Sequence, residues 1–357
     1  MHPDEVTLRG IIGSIPLPDP SWEERAWGRL DSLTKPPRSL GVLEELAARL
    51  SVLQQSERPS VARKSIVLMA GDHGVTAEGV SPYPSDVTAQ MVANFAAGGA
   101  AINQLAAHAG AHVIVVDVGV ANPLPVMDGV LSARVANGTA NMAHGAAMTR
   151  EQALRALMVG IETVAKLSED GLDLVGTGEM GIGNTTASAA ITCVLTGSDA
   201  ADVVGPGTGL DAAGIVRKVE VVRRAIAVNR PDASDPLGVL AAVGGLEIAG
   251  LAGVVIGAAA RGIPVVSDGF ISGAATLAAV RMAPAALPWV FASHRSAEPG
   301  HTVVLEALGV RPVLELDMRL GEGTGAALAM ELLDAACAVM SGMATFAEAG
   351  VSGKEAV

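Results

Sequence analysis

Short apolar runs, rich in β-branched residues, recur through the middle of the chain, and most precede glycine-rich segments. A run that is apolar at every position is typical of a strand buried on both faces. We therefore predict a strand at each run. The runs occupy residues 65–69, 112–116, 172–175, 263–266, 289–291 and 310–316.

Helical patterns lie between these runs. They cover residues 86–109, 149–167, 184–195, 214–228 and 245–260. Strands that alternate with helices favour a parallel sheet covered by helices. The middle of the chain is thus predicted to be an α/β domain.

The two ends differ from this middle, since neither contains a convincing buried strand. Amphipathic patterns predict helices over residues 22–33, 40–53 and 324–349. We expect helical ends that flank an α/β domain to pack on each other. The predicted division is a helical part at 1–63, a large α/β domain at 64–318 and a helical part at 319–357, with both helical parts forming one small domain.

Composition excludes several classes of protein. Half of the 357 residues are hydrophobic but only 2% are aromatic, so the core must consist mainly of aliphatic side chains. The net charge is −13 and no basic run is present, which argues against a nucleic-acid partner. Cys193 and Cys337 lie far apart within apolar helical patterns, as expected for reduced thiols.

The hydropathy pattern does not suggest a membrane protein. Residues 1–10 carry charged side chains and no apolar stretch, so no signal peptide is evident. The most membrane-like window, residues 237–260, has Glu247 near its middle. A central carboxylate opposes insertion, and a buried helix is therefore favoured. We expect a cytoplasmic protein without membrane association.

A glycine-rich segment follows the third apolar run. It contains Gly176, Gly178, Gly181 and Gly183, and a helix is predicted to begin at Asn184. Free N–H groups at the beginning of a helix bind phosphate. The segment also fits the G-x-G-x-x-G pattern of dinucleotide-binding folds, but the acidic residues about 20 positions on do not follow a second strand. A phosphate or sugar-phosphate site is favoured over a dinucleotide site, and purely structural turns remain an alternative.

Two glutamates lie within glycine-rich segments. Glu179 would repel a phosphate, so sugar hydroxyls are its natural target, and a solvated loop acid is the alternative. Glu322 stands between Gly321 and Gly323, which allow close approach of a substrate. The dipole of the following helix favours its ionised form. The alternative for Glu322 is a simple capping acid in the first turn of that helix.

Other polar residues follow predicted strands or glycine loops. Lys218 lies at helical distance from the glycine loop at 205–211, where it would be a phosphate-binding cation or a solvated charge. Asp72 and His73 follow the first apolar run, either as ligand-binding residues or as turn formers.

The loop at residues 292–301 combines serine, arginine and glutamate with His294 and His301. Two histidines seven positions apart resemble metal ligands, but no third histidine or cysteine lies nearby. We predict no metal site, because zinc needs three or four protein ligands.

Six segments together resemble those of nicotinate-nucleotide:dimethylbenzimidazole phosphoribosyltransferases, the family that makes the lower-ligand nucleotide of cobalamin. Matching motifs in the same order are far more specific than any one motif. One departure is Arg38, where the early motif of the family usually has glycine. The segments span nearly the whole chain and lie at residues 34–41, 71–74, 176–186, 267–273, 293–301 and 320–325.

This resemblance implies a Rossmann-like parallel sheet with helices on both faces, a small helical domain from both termini, and a homodimer. It also implies that a ring nitrogen of 5,6-dimethylbenzimidazole displaces nicotinate from C1′ of nicotinate mononucleotide. The products would be α-ribazole 5′-phosphate and nicotinate. No metal or other cofactor is expected, because the leaving group is already a cationic pyridinium.

The resemblance also implies residue roles. Glu322 resembles the general base, which would stabilise the charge on the attacking azole and accept its N–H proton. The residues that resemble those around the phosphoribosyl group are Gly178, Glu179, Gly181, Gly183, Asn184, Gly207, Lys218 and Ser296. The residues assigned to the benzimidazole pocket and its apolar walls are Ser81, Tyr83, Gln90, Met180 and Leu320.

Two other functions would use the same glycine loops. An NAD-dependent dehydrogenase would depend on the G-x-G-x-x-G match alone. A non-catalytic nucleotide-binding module would bind nicotinate mononucleotide without turnover. The preferred base is also open, because adenine or unsubstituted benzimidazole offers the same nitrogen geometry.

Overall fold

A six-stranded parallel sheet lies at the centre of the computed structural model, which describes residues 3–352. The strands stand in the order β3-β2-β1-β4-β5-β6, and each adjacent pair is parallel. This is the strand order of doubly wound nucleotide-binding folds. The predicted Rossmann-like parallel sheet is confirmed. The strands are β1 (Lys64–Gly71), β2 (Ala111–Gly119), β3 (Val130–Ser132), β4 (Leu174–Met180), β5 (Val265–Ser267) and β6 (Val290–Ala292).

Helices connect and cover the strands. Before the sheet lie α1 (Pro3–Gly13), α2 (Ser21–Ser32) and α3 (Val42–Gln54). Between strands or after the last strand lie α4 (Asp86–Ala96), α5 (Ala101–His108), α6 (Arg150–Glu169), α7 (Asn184–Thr196), α8 (Ala200–Val203), α9 (Ala212–Asn229), α10 (Pro236–Val243), α11 (Leu246–Ala259), α12 (Phe270–Met282), α13 (Pro299–Leu308), α14 (Thr324–Gly342) and α15 (Phe346–Ala349). Short 3₁₀ helices occupy Gly74–Glu78 and Pro284–Trp289.

Both faces of the sheet are covered, as the contacts of β1 show. Ile66 and Met69 are three residues apart in the strand and therefore point to opposite faces. Gly176 of β4 packs beside Ile66 against Met330 of α14, whereas Met69 packs against Gly250 of α11. All eight residues of β1 are buried. The helices predicted on both faces are confirmed.

Small residues let the helices approach one another closely. A Cβ atom on Gly253 of α11 would lie only 1.9 Å from the carbonyl oxygen of Leu157 in α6.

The membrane-like window at 237–260 is not one helix, because α10 ends before Gly244 and α11 begins after Gly245. Within the described residues one helix, α14, is long and apolar enough to cross a membrane, and half of its most apolar stretch is buried. Core helices of globular proteins meet the same test.

The helical ends of the chain contact each other. Helix α3 packs on both α2 and α14. The Thr34 N–H donates to the Ala344 carbonyl at 3.0 Å, and Leu33 forms an antiparallel bridge with Thr345. Helix α14 also packs on β4 and β5. A separate small domain with boundaries at 63 and 318 therefore stays a prediction.

Arg38 adopts the left-handed backbone conformation, with φ of +63°. Glycine tolerates this conformation and most other residues do not, which accounts for the glycine usual at this place in the family motif. The Arg38 guanidinium lies 3.3 Å from the centre of the Trp27 ring and pairs with Asp31 at 3.5 Å. These two contacts favour an arginine here in spite of the backbone strain.

Several predicted elements were wrong in detail. Residues 310–316 form no strand and make only a single bridge to His294 through Leu314, because Pro312 interrupts the run and lacks an N–H to donate. The helix predicted at 86–109 breaks at Gly98, which has φ of +76° and separates α4 from α5. The final helix likewise ends at Gly342. Strand β3 was missed because its short, partly exposed sequence lacks an all-apolar pattern.

Candidate active site

A cavity of about 620 Å³ opens at the carboxyl ends of β4, β5 and β6. Parallel α/β sheets bind their ligands at this edge, next to the point where the strand order reverses. Several site residues predicted from the sequence line the cavity. They are Tyr83, Glu179, Met180, Gly181, Asn184, Gly207, Ser296, Leu320 and Glu322.

Glu179 is the last but one residue of β4, and it is 5% exposed. Asn184, the first residue of α7, donates its side-chain N–H to Glu179 Oε2. Burial raises the pKa of Glu179 to about 8, and the negative charges of Asp268 and Glu247 add to this rise. The carboxyl is therefore protonated at neutral pH, and it is not the solvated loop acid of the alternative interpretation.

Glu322 occupies a turn in which three consecutive residues have left-handed backbone, with φ of +84° at Gly321, +63° at Glu322 and +90° at Gly323. The side chain is 6% exposed and lines the cavity. Its Oε2 accepts the Ile102 N–H at the beginning of α5, at 3.4 Å. Burial raises the pKa of Glu322, and the Ile102 N–H opposes this rise.

The capping interpretation of Glu322 is wrong. The carboxylate turns towards α5, and the N-terminus of its own helix α14 is capped by Asp268, which accepts the N–H groups of Gly323 and Ala326. Glu322 is thus free to face the cavity.

Lys218 lies in α9, directly behind the glycine loop that includes Gly207. The side chain is 1% exposed, and its Nζ donates to Thr185 Oγ1 at 2.7 Å and to the Gly205 carbonyl at 3.3 Å. A Cβ atom on Gly207 would lie 3.2 Å from Nζ. Burial lowers the pKa of Lys218 to about 8, although Glu298 opposes this effect. Lys218 is not a solvated helix charge.

Two charged residues that are not among the predicted site residues hold the N–H and carbonyl groups of Gly207. Glu298 Oε1 accepts the Gly207 N–H at 2.8 Å, and Arg319 Nη1 donates to the Gly207 carbonyl at 3.0 Å. Both side chains also line the cavity. We call Gly207, Lys218, Glu298 and Arg319 the loop clamp.

The comparisons with known proteins agree with this geometry. A family model described as phosphoribosyltransferase (DBI_PRT) matches residues 15–351. The curated nicotinate-nucleotide–dimethylbenzimidazole phosphoribosyltransferases of Syntrophobacter fumaroxidans and Desulforamulus reducens are 56% and 52% identical to the chain, over 97% of it and over 98% and 99% of their own lengths. The chain belongs to this phosphoribosyltransferase family.

A solved member of the family has the same fold. The crystal structure of CobT from Thermus thermophilus superposes with a TM-score of 0.90 at 51% identity, covering 93% of this chain and 99% of that one. The predicted resemblance and the prediction of a phosphoribosyltransferase are confirmed. The NAD-dependent dehydrogenase is thereby set aside, since the G-x-G-x-x-G match was its only support.

Five predicted site residues do not line the cavity. Gly178 lies inside β4, where a Cβ atom would come within 2.5 Å of the Glu322 carbonyl oxygen. Gly183 is the N-cap of α7, and Gln90 is exposed on α4. Ser81 Oγ instead lies 3.2 Å from the hydroxyl of Thr208, a residue that does line the cavity. The fifth is Lys218, whose Nζ donates to Thr185, a residue that lines the cavity.

Asp72 and His73 also lie outside the cavity wall. His73 Nε2 is 2.6 Å from Glu247 Oε1, and both side chains are buried. Gly181 packs against His73, since a Cβ atom there would lie 3.4 Å from the imidazole ring. His73, which is paired with Glu247, therefore packs against the turn that follows β4.

The histidines of the 292–301 loop have partners within the protein. His301 Nδ1 accepts the Ser296 N–H at 2.9 Å, and burial lowers the pKa of His301 to about 3. His294 Nδ1 lies 2.9 Å from Ser293 Oγ. Among residues 3–352 no His, Cys, Asp and Glu side chains form a group that could hold a metal ion.

Signals for the missed residues were present in the motifs. Glu298 lies within the segment 293–301, and Arg319 directly precedes the segment 320–325. Asp268 is the second residue of the segment 267–273. Their roles depend on which loops meet at the cavity, and the sequence pattern did not predict that.

Proposed function

We propose that this chain transfers the 5-phosphoribosyl group of nicotinate mononucleotide to 5,6-dimethylbenzimidazole, giving α-ribazole 5′-phosphate and nicotinate for the nucleotide loop of cobalamin. One observation carries the proposal: two buried carboxyl groups, Glu179 and Glu322, share a cavity with a cation-bearing glycine loop. The names of the similar proteins support these substrates.

The loop clamp provides the phosphate end of the site. Glu179, Asp268, Glu298 and Glu322 line the cavity, whereas Arg319 is the one lysine or arginine among the lining residues described. A phosphate dianion needs cations in such an acidic surrounding. We infer that Arg319 and Lys218 supply them, with the beginning of α7 at Gly181 and Asn184 and the Ser296 loop adding polar groups.

Glu179 is suited to the ribose because it is protonated at neutral pH. A neutral carboxyl does not repel the nearby phosphate, and its O–H can donate to a sugar hydroxyl. This resolves the electrostatic objection to an acid inside a phosphate-binding turn.

Glu322 acts as the general base in this proposal. The azole nitrogen attacks C1′ while the bond from C1′ to the pyridinium nitrogen breaks, and the bonding electron pair leaves with nicotinate. The azole ring then carries a positive charge, and Glu322 accepts its N–H proton. Attack opposite to the leaving group converts the β-nucleotide into an α product.

The flat base would pack against apolar side chains at the mouth of the cavity. Met180 and Leu320 line this part of the wall, together with Tyr83. Ser81 and Gln90 lie farther out, on the same segment as Tyr83. We propose that they contact the base only after that segment closes over it.

The direct test is a chromatographic assay of the purified full chain with nicotinate mononucleotide and 5,6-dimethylbenzimidazole. We expect release of nicotinate with formation of α-ribazole 5′-phosphate. Glu322→Gln should reduce kcat by about 10²- to 10⁴-fold, as removal of a general base does. Binding of nicotinate mononucleotide without any transfer would contradict the proposal and favour the nucleotide-binding module. Full activity of Glu322→Gln would be compatible with the proposed reaction but would show that Glu322 is not its general base.

The resemblance to the family also supports a homodimer in the cytoplasm. Light scattering of the purified chain tests the dimer: a mass twice that of one chain is expected, and a monomeric mass would contradict it.

A further inference from the structure

Asp268 connects the end of β5 with the turn that carries Glu322. The side chain is 1% exposed. Its Oδ2 accepts the Gly323 N–H at 3.1 Å, and its Oδ1 accepts the Ala326 N–H at 3.0 Å. Gly323, the N-cap of α14, has no side chain with which to cap the helix. Asp268 therefore performs that task from another part of the chain.

The turn needs such support because of its backbone conformation. Glu322 has φ of +63°, which is unfavourable for a residue with a side chain and persists only where neighbouring contacts hold it. The contact of Glu322 with Ile102 is long, at 3.4 Å. The bond from the Gly323 N–H to Asp268 is shorter, at 3.1 Å, and it holds the backbone one residue from Glu322, whereas the Ile102 contact holds only the end of the Glu322 side chain. Asp268 is thus the stronger constraint.

The surrounding residues are shaped for this contact. A Cβ atom on Gly325 would lie 2.9 Å from Asp268 Oδ1 and 1.9 Å from His294 Nδ1, so a larger residue would push both side chains away. His294 Nδ1 lies 3.9 Å from Asp268 Oδ1. On the opposite side of the turn, the Glu322 carbonyl oxygen lies so close to Gly178 of β4 that a Cβ atom there would be only 2.5 Å away. The turn is held between β4 and Asp268.

We infer that Asp268 is a positioning residue, which fixes the turn Gly321–Gly323 so that the Glu322 carboxylate faces the attacking base. This inference rests on the proposed role of Glu322. Both carboxylate oxygens are needed, because an asparagine would replace one acceptor with an NH₂ group that faces a backbone N–H.

The test is a double-mutant cycle that combines Asp268→Asn with Glu322→Gln. A positioning residue acts through Glu322, so its loss matters only while that carboxylate is present. We expect Asp268→Asn alone to lower kcat by about 10- to 100-fold, with less than about a threefold change in KM for either substrate. In the Glu322→Gln background the same change should lower kcat by less than about threefold. An equal loss in both backgrounds would overturn the inference.

A control separates positioning from general loss of stability. Thr149→Ala removes the cap of α6, where the Thr149 side chain accepts the Gln152 N–H at 3.1 Å, and Thr149 does not line the cavity. This variant should be destabilised to a similar extent but retain wild-type kcat. If it loses as much activity as Asp268→Asn, the effect is one of stability and the inference is wrong.

Hydrogen exchange tests the same contact without an activity assay. Asp268→Asn should accelerate exchange in peptides that cover residues 320–328, while Thr149→Ala should leave these peptides unchanged. Unchanged exchange in folded Asp268→Asn would overturn the inference. A wild-type chain that transfers nothing would contradict the proposed function, and exchange alone would then decide whether Asp268 holds the turn.

Discussion

The proposed phosphate end and the proposed base end of the cavity differ in how deeply their side chains are buried. At the phosphate end Lys218 and Glu298 are 1% and 3% exposed, and each has a main-chain partner in the loop clamp or beside it. At the base end Tyr83 and Leu320 are 52% and 58% exposed. Fixed polar groups favour one defined phosphoribosyl geometry, whereas an open apolar wall accepts flat rings of several shapes. Selectivity should therefore be strict for the nucleotide and loose for the base.

The strongest test of the rigid end is Lys218→Met, which keeps an apolar stem in the buried site but removes the charge. We expect kcat/KM for nicotinate mononucleotide to fall by about 100-fold, because the phosphate loses the buried positive charge behind the Gly207 loop. Steady-state kinetics at a fixed concentration of base would measure this.

A matched control is Lys64→Met. Lys64 is also buried, at 6% exposure, but it pairs with Asp334 away from the cavity. This variant should retain kcat/KM within about threefold. Equal losses in the two variants would mean that Lys218 supports the fold and not the phosphate.

The pH dependence of kcat/KM tests the protonation states proposed for Glu322, Lys218 and Glu179. Glu322 must be ionised to act as a base, so kcat/KM falls when the pH drops through its raised pKa. Lys218 and Glu179 must be protonated, and the pKa of each is about 8. Activity should therefore fall above about pH 8, with a dependence on two protons and hence roughly 100-fold per pH unit well above that pKa.

Lys218→Arg sharpens this assignment, since arginine stays protonated throughout the range. The alkaline fall should then depend on one proton, that of Glu179. A two-proton fall that persists in Lys218→Arg would show that another group titrates there.

Arg319→Gln should have a smaller effect than Lys218→Met. Arg319 is exposed, so water screens its charge, but its Nη1 also holds the Gly207 carbonyl. We expect KM for nicotinate mononucleotide to rise about tenfold, with kcat changed less than about threefold. A rise in KM for the base alone would place Arg319 at the wrong end of the cavity.

The sequence predicted most of the strands and part of the cavity wall. Buried all-apolar runs predicted five of the six strands, and the glycine-rich motifs predicted Glu179, Gly207 and Glu322 as cavity residues. The placement of Gly176 and Gly178 in the turn was wrong, because both lie within β4, where α14 and the turn before it pack closely. A glycine needed for helix packing and one needed for a ligand look alike in a sequence.

Long-range contacts account for what the sequence did not predict. The contacts of Glu298 and Arg319 with Gly207 join residues about 90 and 110 positions apart. Asp268 reaches Gly323 and Ala326 across the sheet edge. Periodicity and local spacing carry no information about such pairs, which arise only when the loops after β4, β5 and β6 meet.

Leu320→Ala is the mildest test, and it bears on the open end. The side chain lines the cavity, but it is already 58% exposed, so its loss removes only part of an apolar contact with the base. Each buried methylene contributes roughly 0.8 kcal/mol, so a partial loss corresponds to a rise in KM for 5,6-dimethylbenzimidazole of about three- to tenfold. KM for nicotinate mononucleotide should stay within about twofold of wild type.

Leu316→Ala is the control for this last variant, because Leu316 is similarly exposed, at 51%, and lies four residues away outside the cavity wall. It should change neither KM. The loss in Leu320→Ala should also be smaller for unsubstituted benzimidazole, which lacks the two methyl groups that contact an apolar wall. If both bases and the nucleotide were affected equally, Leu320 would act on the adjoining Glu322 turn. The separation of a rigid phosphate end from an open base end would then be wrong.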